Sequence, residues 1–260
     1  MSTVAVTGDA CTTTAVALAA AWPLHDDVVL VEADPTGGDL AAWFDLPESP
    51  SLSTAVTQVT DGSWPEIEAL TRLAPSGLRV LPAPVRRAEA DQAVSEAARS
   101  LAPTLANLRS PVAIADIGAI STARPNPFAD TASVTVAVHR QSPQSPRAAA
   151  VRLQRFADAL GALATNTATT TATGPLVVAV VGSSPFDVRE IESFLVDTTG
   201  ASQLVGLPVD DLTAAVLAGR RGVSERRLAR LPLMRAARDL AAVTDRALAE
   251  ATNGLSRAAT

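Results

Sequence analysis

Near the start of the chain, between two apolar stretches, runs Thr7-Gly8-Asp9-Ala10-Cys11-Thr12-Thr13-Thr14, a turn of small residues with a hydroxyl-rich exit. A glycine there lets backbone N–H groups come close to an oxyanion, and the start of a following helix favours negative charge. A phosphate loop needs two further parts: a lysine that reaches the outer phosphates, and a Ser or Thr hydroxyl that ligates magnesium. Gly8 and Thr12 fit their roles. Ala10 stands where the last glycine belongs, and Cys11 where the lysine belongs. A plain strand-to-helix turn capped by Thr12 or Asp9 accounts for the same residues, and the pattern alone does not choose between the two.

Carboxylates supply the second signal. Val28-Val29-Leu30-Val31-Glu32-Ala33-Asp34 is a hydrophobic run ending in acids ahead of a Pro35-Thr36-Gly37-Gly38 turn, and Ala113-Ile114-Ala115-Asp116-Ile117-Gly118 repeats the design. If both runs are strands of one sheet, Glu32, Asp34 and Asp116 arrive at its rim beside the first loop. There a carboxylate can position a water or hold a metal through its hydration shell. Any one of them alone is equally an ordinary cap or turn residue; together they are the stronger argument.

Other reactive side chains offer less. Cys11 at a helix start could carry a lowered thiol pKa, but no histidine lies near it in sequence, and a small buried filler is the simpler role. His25 and His139 are the only histidines, and with one cysteine they form no zinc set. Structural roles are expected for both, and packing roles for Trp22, Trp43 and Trp64.

The elements that must position these residues alternate. Short β-branched runs at 3–6, 28–31, 78–81, 112–115, 134–138, 176–181 and, more weakly, 203–206 are separated by alanine-rich stretches, with helices expected at about 12–21, 88–108 and 147–163. Such alternation predicts βαβ units: an α/β fold with a doubly wound, mainly parallel sheet of seven or eight strands, strand one central, helices on both faces and ligands at the carboxyl ends of the strands. The 260 residues are read as a single domain with a core at about 3–248, a polar low-complexity loop at about 164–174 and a C-terminal tail at about 249–260. A chain of this length buries roughly three quarters of its unfolded surface, enough for one large core.

Composition narrows the setting. The single cysteine and the lack of a basic, then apolar, leader predict a cytoplasmic protein, and no apolar run approaches the roughly 20 residues of a membrane span. The 21 basic residues are all arginine, so no lysine exists to serve a phosphate. A net charge of −6 argues against coating nucleic acid with the whole surface but leaves room for a local patch. From Arg220 to Arg246 there are eight arginines against three acids. Arg226, Arg227 and Arg230 have the spacing of one helical face and are the expected surface contact, unless they are a solvated face paired with nearby acids.

Taken in order, these pieces resemble the ParA/MinD family of P-loop ATPases, and within it the CpaE/TadZ branch associated with pilus assembly and polar positioning. Val28 to Leu40 is similar to the family's switch segment, and Asp39 to Pro47 with Ser51 to Val56 to the stretch after it. Leu81-Pro82-Ala83-Pro84 also looks like that branch. Ala132 to Arg152 resembles the family's next strand, turn and helix, and Val205-Gly206-Leu207-Pro208-Val209-Asp210 its late strand and proline-bearing base-contact loop. The resemblance implies a nucleotide site at Gly8, Asp9, Ala10, Cys11, Thr12, Thr13 and Pro208. It also implies magnesium at Thr12, Asp34 and Asp116, and catalysis at Asp34 if the site is active. It further implies that the two lysines of the family loop correspond here to Cys11 and Val6, and that Gly182-Ser183-Ser184 replaces a usual asparagine.

The expectation is therefore a pseudo-ATPase of the ParA/MinD type, acting as a positioning or assembly factor through protein partners, without a resident cofactor and with a homodimer in prospect. If the altered loop still binds, its ligand is ATP with magnesium. The alternatives are a slow, atypical ATPase, with Arg86 or Arg87 as a stand-in cation, and a module that touches DNA or an acidic membrane through the Arg220–Arg246 segment.

Overall fold

The computed structural model describes the backbone of residues 3–23, 27–108, 110–121, 126–142, 145–167, 175–199, 201 and 203–258, with the side chains of 164–167 and 253–258 outside that description. His25 and residues 168–174 of the expected polar loop lie outside the described residues.

The chain runs β1 (Thr3–Gly8), α1 (Cys11–Ala21), β2 (Val28–Glu32), α2 (Leu40–Trp43), α3 (Leu52–Gln58), α4 (Trp64–Leu70), β3 (Arg72–Leu73), β4 (Arg79–Leu81), α5 (Arg87–Asn107) and β5 (Val112–Asp116). It continues with β6 (Val134–Arg140), α6 (Pro146–Thr167), β7 (Leu176–Val181), α7 (Val188–Thr199), β8 (Leu204–Leu207), α8 (Asp211–Leu217), α9 (Glu225–Leu228) and α10 (Pro232–Ala258). The eight strands form one sheet in the order β3-β4-β2-β5-β1-β6-β7-β8. All pairings are parallel except that of β3, a two-residue antiparallel edge that periodicity had not suggested.

β1 lies between β5 and β6, which pair both of its edges, and helices pack on both faces of the sheet, so its six residues are all buried. That is why it reads as a continuous apolar run rather than an alternating one. On one face α1 and α10 lie side by side on the sheet, α1 over β1, β2 and β5 and α10 over β6, β7 and β8; Ala15, Val16, Leu18 and Trp22 meet Leu233, Ala237, Leu240 and Leu248 in one cluster. The opposite face carries α3 and α5 over β2, β4 and β5, and α6 and α7 over β6 and β7.

α10 replaces the expected tail, continuing as helix through Ala258. Its buried positions Leu233, Met234, Ala237, Leu240, Ala241, Thr244, Ala247 and Leu248 recur at three- and four-residue intervals, an apolar stripe that fits against α1. Residues 164–167, expected as loop, close α6. Among the described residues no helix is long and apolar enough to cross a membrane.

Candidate functional site

The strand register brings the sequence signals together. Val6 is level with Asp116, and Asp116 with Glu32, at the carboxyl ends of three adjacent strands. Gly8 leaves β1 at φ 116°, where an added Cβ would run into the Val138 carbonyl oxygen. Only glycine fits there. The Gly8 N–H donates to Gly118 O (3.0 Å), the Asp9 N–H to Val138 O (3.0 Å), and the Thr7 hydroxyl to Gly118 O (2.8 Å). These bonds fix the loop to β5 and β6.

Ala10 caps α1 in the left-handed region, at φ 63° and ψ 28°, and makes no side-chain cap. The loop therefore keeps a glycine's backbone conformation with an alanine in place. That conformation costs a non-glycine residue on the order of 1 kcal/mol, so Ala10→Gly is expected to stabilise the protein by about that much in urea unfolding. An unchanged or lowered midpoint would show that Ala10 is not held in this conformation.

Cys11 is buried and lies against acid. Burial above all, with the Asp116 and Asp34 carboxylates nearby, pushes its thiol far above the usual value. It is a packed, protonated filler rather than a reactive thiolate. Val6 is wholly buried in the core beneath α1.

Asp116 is almost fully buried. One oxygen accepts the Gly118 N–H at 3.2 Å, while Oδ2 has no hydrogen-bond partner among the described residues. Burial raises its pKa, Thr12, Cys11 and the Gly118 N–H pull it back, and Asp34 adds to the rise. Asp34 accepts the Thr36 N–H and hydroxyl, both at 2.7 Å, and its carboxylate abuts Gly118, where a Cβ would lie 2.5 Å from Oδ2. Thr12, Asp34 and Asp116 thus share one corner of the rim. Among the described residues no group of three or more His, Cys, Asp or Glu is arranged to hold a metal ion.

Glu32 departs from expectation. It accepts the N–H groups of Asp39 (2.6 Å), Leu40 (2.9 Å) and Ala83 (2.9 Å), tying the end of β2 to the start of α2 and to the segment after β4. Fully engaged by backbone and buried, it has no face for a water or a metal. Burial outweighs those hydrogen bonds and pushes its pKa up to about 7.

Two groups of residues escaped sequence reasoning. Asn126 donates to Ala33 O (2.7 Å) and Ile117 O (3.1 Å), bracing the segments that carry Asp34 and Asp116. Beside the loop, a cleft of about 670 Å³ is lined by Asp9, Ala10, Arg140, Gln141, Ser142, Arg152, Gly182, Ser183, Ser184 and Val209. Its cations come from the end of β6 and from α6. Arg86 and Arg87, the expected stand-ins, sit exposed at the start of α5 and do not line it. A smaller cavity of about 90 Å³ joins Pro208 to Ala10, Thr13 and Arg140, placing the proline loop next to the phosphate loop.

Arg226, Arg227 and Arg230 do not share a helical face, because α9 ends at Leu228. Instead Arg226 and Arg230 combine with Arg235 and Arg238 of α10 around a surface concavity of about 590 Å³ that also holds Asp239; Arg227 is exposed outside it. Arg235 donates to Arg230 O (3.1 Å) and Arg238 to Ala229 O, so α10 fixes the turn that ends α9.

No family model and no curated protein matches this sequence. Solved structures do. The MinD cell division ATPase of Pyrococcus furiosus superposes with a TM-score of 0.67 at 13% identity, covering 94% of this chain and 98% of that one. The septum site-determining protein MinD of Pyrococcus horikoshii, solved with Mg-ADP, gives 0.65 at 14% identity, covering 92% and 93%. A ParA family ATPase of Chlorobium tepidum gives 0.64 at 13% identity, covering 92% and 98%. At such identities the likeness establishes the fold: this chain is built on the ParA/MinD architecture over nearly its whole length.

Proposed function

We propose that this chain, with its ParA/MinD fold, is a positioning or assembly factor that works through protein contacts and whose phosphate loop no longer turns over ATP. The observation that carries the reading is Cys11: a buried, protonated thiol beside Asp116 where a lysine would meet the phosphates, in a chain without lysine. Magnesium ATP fits the remaining donors poorly. The exposed Asp9 adds negative charge to the loop, and no lysine is present to offset it. The structural neighbours include a MinD cell division protein, a plasmid partition protein and a MinC:MinD complex, which supports a role exercised through partners, of the kind that the CpaE/TadZ-like stretch suggests. Phosphate release from ATP and magnesium by the purified chain tests it, with background turnover expected.

The arginine concavity favours a second reading, contact with a polyanionic surface such as duplex DNA or an acidic membrane. Four arginines and one aspartate line it, a local surplus of three positive charges in a chain of net charge −6. Binding to duplex DNA or to phosphatidylglycerol vesicles is expected to weaken steeply with salt, since counterions are released from the phosphates. Arg226→Glu with Arg230→Glu should remove it without unfolding the protein, because exposed charge changes usually move stability by less than about 0.5 kcal/mol. Lack of salt-sensitive binding at low ionic strength would leave the concavity a solvated face.

A further inference from the structure

The arginine concavity at the start of α10 differs from a solvated basic face in how its side chains are held. Arg226 comes from α9 and Arg230 from the turn after it, Arg235 and Arg238 come from the first turns of α10, and all four are exposed. Among the described residues none of them makes an ion pair within 4.0 Å, although Glu225 and Asp239 are close in sequence. The α10 pair is braced on backbone instead. Arg235 Nε donates to Arg230 O (3.1 Å), and Arg238 donates from Nε to Met234 O (3.2 Å) and from Nη2 to Ala229 O. A guanidinium has more N–H donors than these bonds consume, so both arginines keep donors uncommitted in a side chain that is already oriented.

The framework beneath is fixed as well. Asp210 caps α8 and accepts the Leu233 N–H (3.3 Å) at the start of α10, while Leu233 and Met234 belong to the core shared with α1 and Leu228 packs against it. Side chains ordered beforehand lose less freedom when a ligand arrives. Shape and surroundings then choose the anion. Duplex DNA is a convex rod with one phosphate about every 1.7 Å of its axis, whereas the surplus charge here lines a recess in a chain of net charge −6. Peripheral bilayer contact adds apolar side chains to basic ones. Among the described residues the exposed large hydrophobic side chains are Leu73, Val85, Val151, Val196 and Val209, and none lies on α9 or α10. An acidic polypeptide segment is narrow enough to enter, and its planar carboxylates match guanidinium forks.

We propose that this concavity docks an acidic segment of a protein partner, whose Asp or Glu side chains pair with Arg226, Arg230, Arg235 and Arg238. The inference rests on the reading that the chain works through protein contacts, and it names the chemistry of that contact. Arg220, Arg221 and Arg227, exposed but outside the concavity, steer such a segment toward it. Asp239 on the lining limits the number of carboxylates it accepts.

Fluorescence anisotropy of a labelled hexaglutamate peptide titrated with the full chain at low ionic strength tests it, with hexaglutamine, a short DNA duplex and phosphatidylglycerol vesicles as comparators. Hexaglutamate is expected to bind saturably and hexaglutamine not at all. Arg226→Ala and Arg230→Ala should each weaken hexaglutamate by roughly threefold to tenfold and together remove it, while Arg99→Ala, exposed on α5, changes nothing. Asp239→Asn should tighten it by removing a repelling charge. Arg226 and Arg230 are exposed, so their replacement leaves the fold intact, which circular dichroism verifies. The proposal is overturned by absence of saturable hexaglutamate binding at millimolar concentration, by affinity unchanged in the double variant, or by hexaglutamine binding as tightly. It is overturned equally if the duplex or the vesicles outcompete hexaglutamate at equal concentration of anionic charge. Failure here leaves the proposed loss of turnover standing, because phosphate release measures that separately.

Discussion

ATP turnover by the purified chain is expected to stay at the level of a no-protein control, at least about a thousandfold below an ordinary enzyme of this architecture. A cation that meets transferring phosphates in a dry site stabilises the transition state by several kcal/mol, and each 1.36 kcal/mol is about tenfold in rate. Here Cys11 and Val6, where the resemblance would place lysines, are buried, and the chain has no lysine. Arg140 and Arg152 line a cleft together with Asp9 and Ala10, and neither Cys11 nor Asp116 lines it. Cys11→Lys alone should not recover activity, since Ala10, Asp9 and Val6 are unchanged and the new ammonium would pair with buried Asp116. Magnesium-dependent phosphate release at an ordinary rate, abolished by Asp34→Ala, would refute the reading.

The second large effect concerns Glu32 and stability. Glu32→Ala leaves the N–H groups of Asp39, Leu40 and Ala83 without their acceptor, at about 1–3 kcal/mol for each buried group left unpaired. A loss of roughly 3–5 kcal/mol is expected, a fall in Tm of about 10 °C for a chain of this size. The same residue sets a pH dependence. Its folded pKa of about 7 lies above the ordinary 4.5, so the folded state holds the proton more tightly and binds more protons between those values. Stability therefore falls as pH rises through that window, with a slope of at most about 1.4 kcal/mol per unit, and Asp116, also raised by burial, acts in the same direction. Urea midpoints should be higher near pH 5 than near pH 7.5, and Glu32→Gln should flatten the difference while lowering both. A midpoint that climbs steadily from pH 5 to 7.5 in the wild type would contradict the burial account.

Much of this protein was determined by local pattern alone. Covered parallel strands must be continuously apolar and must be joined by helices, so the runs at Val4, Val28, Val112, Val134 and Leu176 disclosed the parallel sheet and its central first strand before any contact was known. Gly8, Thr12, Asp34 and Asp116 were legible because strand ends deliver side chains to one rim whatever the helices do. Residue identity also showed a chain without lysine. What sequence could not decide was which polar groups remain free, since that depends on partners distant along the chain. Glu32 and Asp34 look alike beside each other, yet Ala83, more than fifty residues on, engages the first. Arg140 and Arg152 look like any solvated arginines until β6, α6 and the turn after β7 close a cleft around them. Arg226 and Arg230 needed α10, packed on α1, to bring Arg235 and Arg238 beside them. The physical reason is common to all three: burial and charge are sums over neighbours in space, and only the packed chain supplies the neighbours.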